Sequence, residues 1–215
     1  MPYQNRVDPF GAIHAVAARG LFTGNRGVIH DPATRTLLKR RWTTRAWIIC
    51  DCGFRGWKRD VMGRNAPSGG AGWTNLFFLD EVTALAAGHR PCFFCRRTQA
   101  TAFADCLGRS AGRGRLAAPE IDQRLHRERL ASGGAPRVTT AAELDELPDG
   151  AMIAVDRRCF ARRADQWLEW SFAGYSTCAD DGFRGRSRLL TPPSSVVALA
   201  AGYQPVWHPS ADALR

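Results

Sequence analysis

Long apolar runs are missing from this chain of 215 residues. No stretch reaches the roughly 18 consecutive apolar residues of a membrane-spanning helix, so we expect no such helix. The first ten residues, MPYQNRVDPF, lack the basic and apolar segments of a secretory signal, which leads us to expect a cytoplasmic protein. Seven cysteines are an odd number and suggest no disulfide framework, which argues against a small disulfide-stapled secreted domain.

Catalytic motifs of several common enzyme classes are also missing. The chain has no Gly-rich phosphate loop, no Ser/His/Asp arrangement, no G-x-S-x-G turn and no paired carboxylates at a known spacing. Lysine is scarce, because only two of the 30 basic residues are lysine. An arginine-rich chain of this kind can simply reflect a GC-rich genome. The net charge of +10 therefore does not by itself identify nucleic acid as the partner.

Positive charge is concentrated in the first half of the chain. Residues 1–110 hold 16 Lys and Arg against 7 Asp and Glu, whereas residues 111–215 hold 14 against 13. The segment 39–64, KRRWTTRAWIICDCGFRGWKRDVMGR, combines eight basic residues with three tryptophans, of which Trp47 is expected in the core. Because basic side chains bind phosphates and indole rings stack on bases, this segment predicts a nucleic-acid surface. The expected contact residues are Arg40, Arg41, Arg45, Arg55, Lys58 and Arg59.

A close cysteine pair stands out in GHRPCFFCRR, residues 88–97, where Cys92 and Cys95 lie in a proline-fixed turn. Two thiolates at this spacing can bind one Zn²⁺. The stretch WIICDCGFRG supplies a second pair, Cys50 and Cys52. The two pairs together predict a zinc site.

The Cys-x-Cys spacing is unusual for ligands of one metal ion, so two arrangements stay open. Either the chain bends at Gly53 and both cysteines bind, or Cys50 binds alone and His89 or His30 completes the site. Two alternatives to zinc also remain, a redox-active C-x-x-C pair and a pair of inert core cysteines. The redox alternative is disfavoured because such a pair opens a long helix after a buried strand, whereas this one follows a helix and GHRP.

A zinc deaminase is a sharper enzymatic alternative, because its signature combines His-x-Glu with a later Pro-Cys-x-x-Cys. His126 and Glu128 supply the first element, but they follow the cysteines and lie in a polar helical segment. The isolated cysteines are expected in the core; they are Cys106, Cys159 and Cys178.

Apolar alternation predicts short strands in GAIHAV, AWIIC, NLFFLD, AMIAVD and QWLEWSF. Helical patterns cover residues 81–87, 97–106, 119–130 and 195–201. The sequence therefore predicts an α+β protein with an N-terminal zinc module over 1–110, in which short strands and helices alternate. A helical connector follows over 111–137, and a small β-rich domain over 138–215 is closed by a short helix.

A weak internal repeat relates residues 82–91, VTALAAGHRP, to residues 196–205, VVALAAGYQP. Each copy predicts a short helix after an apolar run, with Asp80 or Ser194 as the N-cap. A glycine in the left-handed conformation then ends the helix, and proline prevents its continuation. The two glycines are Gly88 and Gly202.

The stretch WTTRAWIICDC…NLFFLDEVTALAAGHRPCFFCRR, within residues 42–97, resembles the zinc module of Ada-type methylphosphotriester DNA-repair proteins. This resemblance implies four zinc ligands at Cys50, Cys52, Cys92 and Cys95, with Cys50 accepting a methyl group from a DNA phosphotriester. The family's first pair is Cys-x-x-x-Cys, however, and its helix-turn-helix and Pro-Cys-His-Arg motif are not found here. The rest of the chain resembles at most uncharacterised bacterial proteins.

These patterns predict a zinc-binding protein that binds nucleic acid, DNA rather than RNA, and that senses or repairs modified DNA. One alternative is a zinc-dependent enzyme of hydrolase or deaminase type, and another is a protein–protein adaptor with a structural zinc. Metal coordination separates them, because four protein ligands favour binding whereas three ligands plus water favour hydrolysis.

Overall fold

The computed structural model describes residues 1–56, 59–178 and 187–214, so Trp57 and Lys58 of the predicted nucleic-acid surface lie outside the described residues. The fold is α+β, as predicted. The strands are β1 (Arg6–Val7), β2 (Ile13–His14), β3 (Phe22–Asn25), β4 (His30–Asp31), β5 (Thr36–Leu37), β6 (Ile48–Asp51), β7 (Leu76–Phe78), β8 (Arg90–Pro91), β9 (Arg137–Val138), β10 (Met152–Val155), β11 (Arg158–Arg163), β12 (Gln166–Ser171), β13 (Gly174–Thr177) and β14 (Ser187–Leu189).

Of the α-helices in the described ranges, four overlap predicted helical segments, whereas the five-residue helix Ala141–Asp145 was not predicted. Three 3₁₀ turns accompany them, at Phe54–Gly56, Leu130–Ser132 and Pro209–Leu214. The α-helices are α1 (Glu81–Ala86), α2 (Arg97–Ser110), α3 (Ala118–Glu128), α4 (Ala141–Asp145) and α5 (Pro193–Ala200).

The N-terminal sheet has the strand order β2-β1-β7-β3-β6-β8. Its strand β3 lies between β6 and β7, with Phe22 opposite both Asp51 and Phe78. The sequence did not predict β3, because its residues FTGN include a glycine and an asparagine, which are depleted in strands. Trp47, just before β6, is fully buried, which confirms its predicted place in the core.

Strand β8 lies at the edge of this sheet and runs parallel to β6. The amide of Arg90 donates to the carbonyl of Trp47, and that of Cys92 donates to Ile49, both at 3.0 Å. This register brings the end of β6, with Cys50, level with the turn that follows β8. Segments that are about 40 residues apart in the sequence thus meet at one sheet edge.

The C-terminal sheet has the strand order β13-β12-β11-β10-β14-β9. Strands β10 to β13 pair consecutively and antiparallel and so form a meander. A buried residue on β10, Ile153, faces Phe160 of β11 and Leu189 of β14. Helix α5 follows β14 and packs against α2 and α3.

The internal repeat is confirmed at the level of backbone hydrogen bonds. His89 N donates to Ala84 O at 2.9 Å in the first copy, and Tyr203 N donates to Ala198 O at 3.0 Å in the second. The glycine before each, Gly88 or Gly202, has a positive φ of 78° or 97°. The two copies therefore end their helices in the same way.

The two copies begin their helices differently. Asp80 caps α1 as predicted, because its side chain accepts from Thr83 N at 2.8 Å. Ser194 is not the N-cap of α5, since the helix begins at Pro193 and no side chain caps it. The carboxylate of Glu128 accepts instead from both Ser194 N and Ser194 Oγ. Proline at the first turn supplies the helix start in the second copy.

The N-terminal and C-terminal parts of the chain share their apolar cores. The rings of Phe103 on α2 and Tyr203 after α5 pack edge to face at 5.2 Å. A second cluster joins Leu79 and Val82 to Met152 of the C-terminal sheet. The boundaries predicted near residues 110 and 137 stay a prediction, and packing continues across them.

Two acidic residues at the start of α1 also bind groups from the C-terminal part. The hydroxyl of Tyr175 donates to Asp80 at 2.9 Å, and that of Tyr203 donates to Glu81 at 2.6 Å. Both carboxylates are fully buried. No helix within the described ranges has the length and apolar character needed to cross a membrane.

Candidate metal centre

Three of the predicted cysteine ligands meet at one point. The Sγ atoms of Cys50, Cys92 and Cys95 all lie within 4.8 Å of one another. Within the described residues they form the one cluster of His, Cys, Asp or Glu with this geometry. A tetrahedral zinc site with Zn–S bonds of about 2.3 Å has sulfur–sulfur edges of about 3.8 Å. The three thiols therefore fit a soft metal ion such as Zn²⁺, whose protein ligands are often thiolates.

The fourth predicted cysteine, Cys52, does not join the cluster. Residues two apart share a face on a straight strand, but β6 ends at Asp51 and the chain turns there. Cys52 is exposed and its thiol lies 3.5 Å from the carbonyl oxygen of Leu21. The structure thus corrects the four-cysteine set to Cys50 plus the C-x-x-C pair.

Neither histidine that was considered as an alternative ligand reaches the cluster. His89 is fully buried, and its Nε2 accepts from Arg26 Nε at 3.2 Å. His30 bonds through its ring nitrogens to Thr74 Oγ1 at 2.6 Å and to Gly63 O at 3.3 Å. Both side chains serve the core, so among the described residues the site has three protein ligands.

Backbone amides point at the sulfur atoms. Phe94 N donates to Cys92 Sγ at 3.4 Å, within the C-x-x-C turn. Hydrogen bonds from the thiols of Cys50 and Cys95, and then from backbone amides, lower the pKa of Cys92 to about 2. The same thiol contacts and burial raise the pKa of Cys50 far above its usual range. The three sulfurs are soft donors, and they would bind a metal ion as thiolates after losing their protons.

A buried ion-pair network braces the cluster from behind. Arg96 directly follows Cys95, is 3% exposed, and donates to both carboxylate oxygens of Glu81 at 2.8 and 3.0 Å. Its Nε also lies 3.4 Å from Asp51, the residue after Cys50. Arg96 therefore ties the C-x-x-C turn to the end of β6 and to α1. The sequence analysis did not predict this role of Arg96. The signal that could have indicated it is the position of Arg96 directly after the C-x-x-C motif.

The cluster opens onto a cleft of about 730 Å³. All three sulfur ligands belong to its wall, and so do Asp51 and the exposed Cys52. Four aromatic rings line the cleft, and among them Trp73 and Phe94 are 54% and 59% exposed. The aromatic residues of the lining are Phe54, Trp73, Phe77 and Phe94. The three cysteines thus lie in the wall of a ligand-sized space.

The C-x-x-C pair lies between β8 and the 14-residue helix α2. A redox-active C-x-x-C pair also lies between a strand and a long helix. The position of the pair in the chain is therefore no argument against the redox alternative, and our reason against it was wrong. The third thiol instead distinguishes a metal site from a redox pair. A dithiol redox centre needs two sulfurs, whereas Cys50 adds a third at metal-ligand distance.

The deaminase signature is not assembled. His126 packs against Trp42 at 4.8 Å, and its Nδ1 lies 3.1 Å from Arg129 Nη2. Glu128 binds Ser194. Neither residue lines the cysteine cleft, so they supply no acid or base to a metal there. Cys106 and Cys159 are each 4% exposed and lie in the core as predicted, whereas Cys178 is only partly buried and packs against the edge of a core cluster.

The residues predicted to contact nucleic acid divide into two groups. Arg59 lines the cleft, 5.9 Å from the ring of Trp73, and Arg55 lies 5.2 Å from the ring of Phe54. The carbonyl of Arg45 instead accepts from Arg129 Nη2 at 2.9 Å, near the end of α3. The exposed side chains that do not belong to the cleft lining are Arg40, Arg41, Arg45 and Arg55.

No family model, curated protein or solved structure matches this chain. The resemblance to the Ada-type zinc module over residues 42–97 therefore stays a prediction. The functional assignment rests on the three-cysteine cluster and its cleft.

Proposed function

We propose that this protein is a zinc-dependent enzyme, with Zn²⁺ held by Cys50, Cys92 and Cys95. One observation supports this assignment above the others. Among the described residues three protein ligands converge, and all three line a cleft of about 730 Å³. Catalytic zinc sites have three protein ligands and one open position, whereas structural sites are closed by four.

The residues of the chain have separate roles in this proposal. When bound, the zinc would polarise a ligand in its fourth position and lower the pKa of that ligand. Asp51, the one carboxylate in the described lining, lies beside Cys50 and is positioned to exchange a proton with a molecule in the cleft. Arg96 holds Asp51 from the buried side. Methyl transfer to Cys50 stays a prediction that rests on the resemblance alone.

Metal analysis of the purified protein tests the ligand set. We expect one zinc per chain in the wild type and loss of zinc in Cys50→Ser, Cys92→Ser and Cys95→Ser. Cys52→Ser is the matched control, because it removes a nearby thiol that lies outside the cluster, and it should keep its zinc. Zinc loss in the control, or zinc-free wild-type protein, would contradict the three-ligand site.

Cobalt substitution tests the open position. The Co²⁺ protein should show thiolate-to-cobalt absorption, and addition of azide or 2-mercaptoethanol should change the visible bands as the fourth ligand is exchanged. A spectrum that does not respond to either ligand would show a closed site. Such a result would favour the structural zinc of the adaptor alternative.

Nucleic-acid binding is a second proposal, and a basic surface beside α3 favours it. Arg40, Arg41, Arg45 and Arg127 are exposed, and none forms an ion pair with a carboxylate in the described ranges. Burial, followed by the charges of Arg129 and Arg45, lowers the pKa of His126. The last two causes indicate a positive potential at this surface. A polyanion such as DNA complements it.

A further inference from the structure

Two large exposed aromatic side chains converge on the cleft of the candidate zinc site. Trp73 and Phe94 rank among the most exposed large apolar residues, at 54% and 59%, and both line this one cleft. Phe54 packs against Phe94 with ring centroids 5.3 Å apart. Exposed apolar side chains gathered in a concave site mark a place where a ligand binds. Rings on the walls favour a flat ligand, because stacking needs a π-face on both partners.

Cationic groups accompany these rings. The guanidinium of Arg59 lies 5.9 Å from the centroid of Trp73, and that of Arg55 lies 5.2 and 5.8 Å from Phe54 and Phe94. Neither arginine pairs with a carboxylate among the residues that the structure describes. The negative charge of Asp51 is met by Arg96 at 3.4 Å. A ligand with a flat ring and an anionic group therefore complements this wall in shape and charge.

One polar atom in the lining lacks a partner. Asn75 Oδ1 is buried and accepts no hydrogen bond within the described structure. The neighbouring polar side chains are already used, since Thr74 Oγ1 bonds to Ile29 N and His30, and Asn25 Oδ1 accepts from Gly27 N. A buried acceptor without a donor is unfavourable, so a rotation of the Asn75 amide that brings this oxygen to an N–H donor of a ligand in the cleft would relieve the cost.

We propose that the cleft binds one unpaired nucleobase of a nucleoside phosphate, stacked on Trp73 or Phe94, with an N–H edge at Asn75 and its phosphate near Arg55 and Arg59. The inference deepens the proposed function, because the same cleft is walled by the three cysteine ligands. A base is flat, carries N–H donors on its edge, and stacks on aromatic side chains with little dependence on sequence. The base could come from a free nucleotide or from an unpaired position in a strand.

Calorimetric titration of the zinc-loaded full chain with AMP and CMP tests this inference, with adenosine and inorganic phosphate as partial ligands. We expect the nucleotides to bind, and Trp73→Ala to weaken binding on the order of tenfold or more through lost stacking. Arg59→Ala should weaken AMP binding more than adenosine binding. Trp42→Ala is the matched control, because it removes a 38%-exposed tryptophan that packs on His126 outside the cleft, and it should leave affinity unchanged.

The source of the base is read from a second arm with a single-stranded oligonucleotide. Tighter binding of the strand, with loss of affinity in salt, supports an unpaired base in a nucleic acid, whereas equal affinity for AMP supports a free nucleotide. Absence of binding by every nucleotide and strand overturns the inference. An equal effect of Trp73→Ala and Trp42→Ala also overturns it.

Failure of this inference is distinguishable from failure of the proposed function. Zinc bound with a responsive cobalt spectrum but without nucleotide binding leaves the zinc enzyme standing and removes the nucleobase. Nucleotide binding that depends on Trp73, in a protein that holds no zinc, would support the nucleobase site and contradict the zinc enzyme.

Discussion

Arg96 and Glu81 form a two-contact ion pair in the interior, with side chains that are 2% and 0% exposed. The pair links the residue after Cys95 to the first turn of α1. Tyr203 Oη and Val206 N donate to the same carboxylate at 2.6 and 3.0 Å, so the C-terminal part of the chain closes this network. The position of the C-x-x-C turn therefore depends on residues from the C-terminal part of the sequence as well as on its own neighbours.

Removal of one charge from this ion pair should lower the free energy of unfolding substantially. Glu81→Gln leaves the Arg96 guanidinium buried with the more distant Asp51, so we expect a loss of about 3–5 kcal/mol in the free energy of unfolding. Asp105→Asn is the control, because its pair with Arg115 is solvent-exposed and should contribute little to the free energy of unfolding. Urea denaturation of both variants measures the difference. Similar small losses in both would show that the buried pair does not brace the fold.

The repeat offers a matched pair of glycine variants. Gly202 has a positive φ, and a Cβ added there would meet no atom within 4 Å, so Gly202→Ala should cost about 1–2 kcal/mol from backbone strain alone. A Cβ on Gly88 would lie 2.5 Å from Arg129 Cβ, so Gly88→Ala should cost about 1–3 kcal/mol more through overpacking. Thermal or urea unfolding measures both. Equal losses would mean that Arg129 moves aside freely.

His89 should give stability a specific dependence on pH. Burial first, and then the charges of Arg26 and Arg129, holds its pKa well below the usual 6.5. Above pH 6.5 the group is neutral in both states and contributes nothing. Below pH 6.5 the unfolded chain binds a proton that the folded chain does not, so stability falls by about 1.4 kcal/mol per pH unit until the folded pKa is reached.

His89→Gln removes this effect and keeps an acceptor for Arg26. We expect the free energies of unfolding of the wild type and the variant to run parallel above pH 6.5 and to converge as the pH falls below it. Urea denaturation at several pH values between about 4 and 8 measures both curves. Parallel curves over the whole range would show that His89 takes up its proton in the folded protein.

The basic surface beside α3 should bind DNA through phosphates. In Arg40→Ala/Arg41→Ala/Arg45→Ala, the slope of log K against log salt should fall by about 2–3 for duplex DNA, since each lost phosphate contact removes about 0.9. Arg157→Ala removes an exposed arginine on the C-terminal sheet and serves as the control. Binding at several salt concentrations gives the slopes. A wild-type slope in the triple variant would show that these three arginines do not contact DNA phosphates.

Much of the local structure was predictable, because its causes lie within a few residues. Asp80 caps α1 since its carboxylate reaches the amide of Thr83 three residues later, and Gly88 and Gly202 end their helices in the conformation that glycine favours. Strand β3 was not predictable, because four residues with a glycine carry almost no pattern of their own. Its two neighbours in the sheet hold it in place.

The sequence by itself determined the C-x-x-C turn, the helix ends, the repeat and the excess of positive charge, since each depends on residue type and short spacing. Tertiary structure alone decided which distant groups meet. Parallel pairing of β6 with β8 brings Cys50 level with Cys92, and the end of β6 at Asp51 leaves Cys52 outside the cluster. It also placed Arg59 in the cleft wall and Arg45 near the end of α3, because contacts between distant segments depend on sheet register, which short-range patterns do not encode.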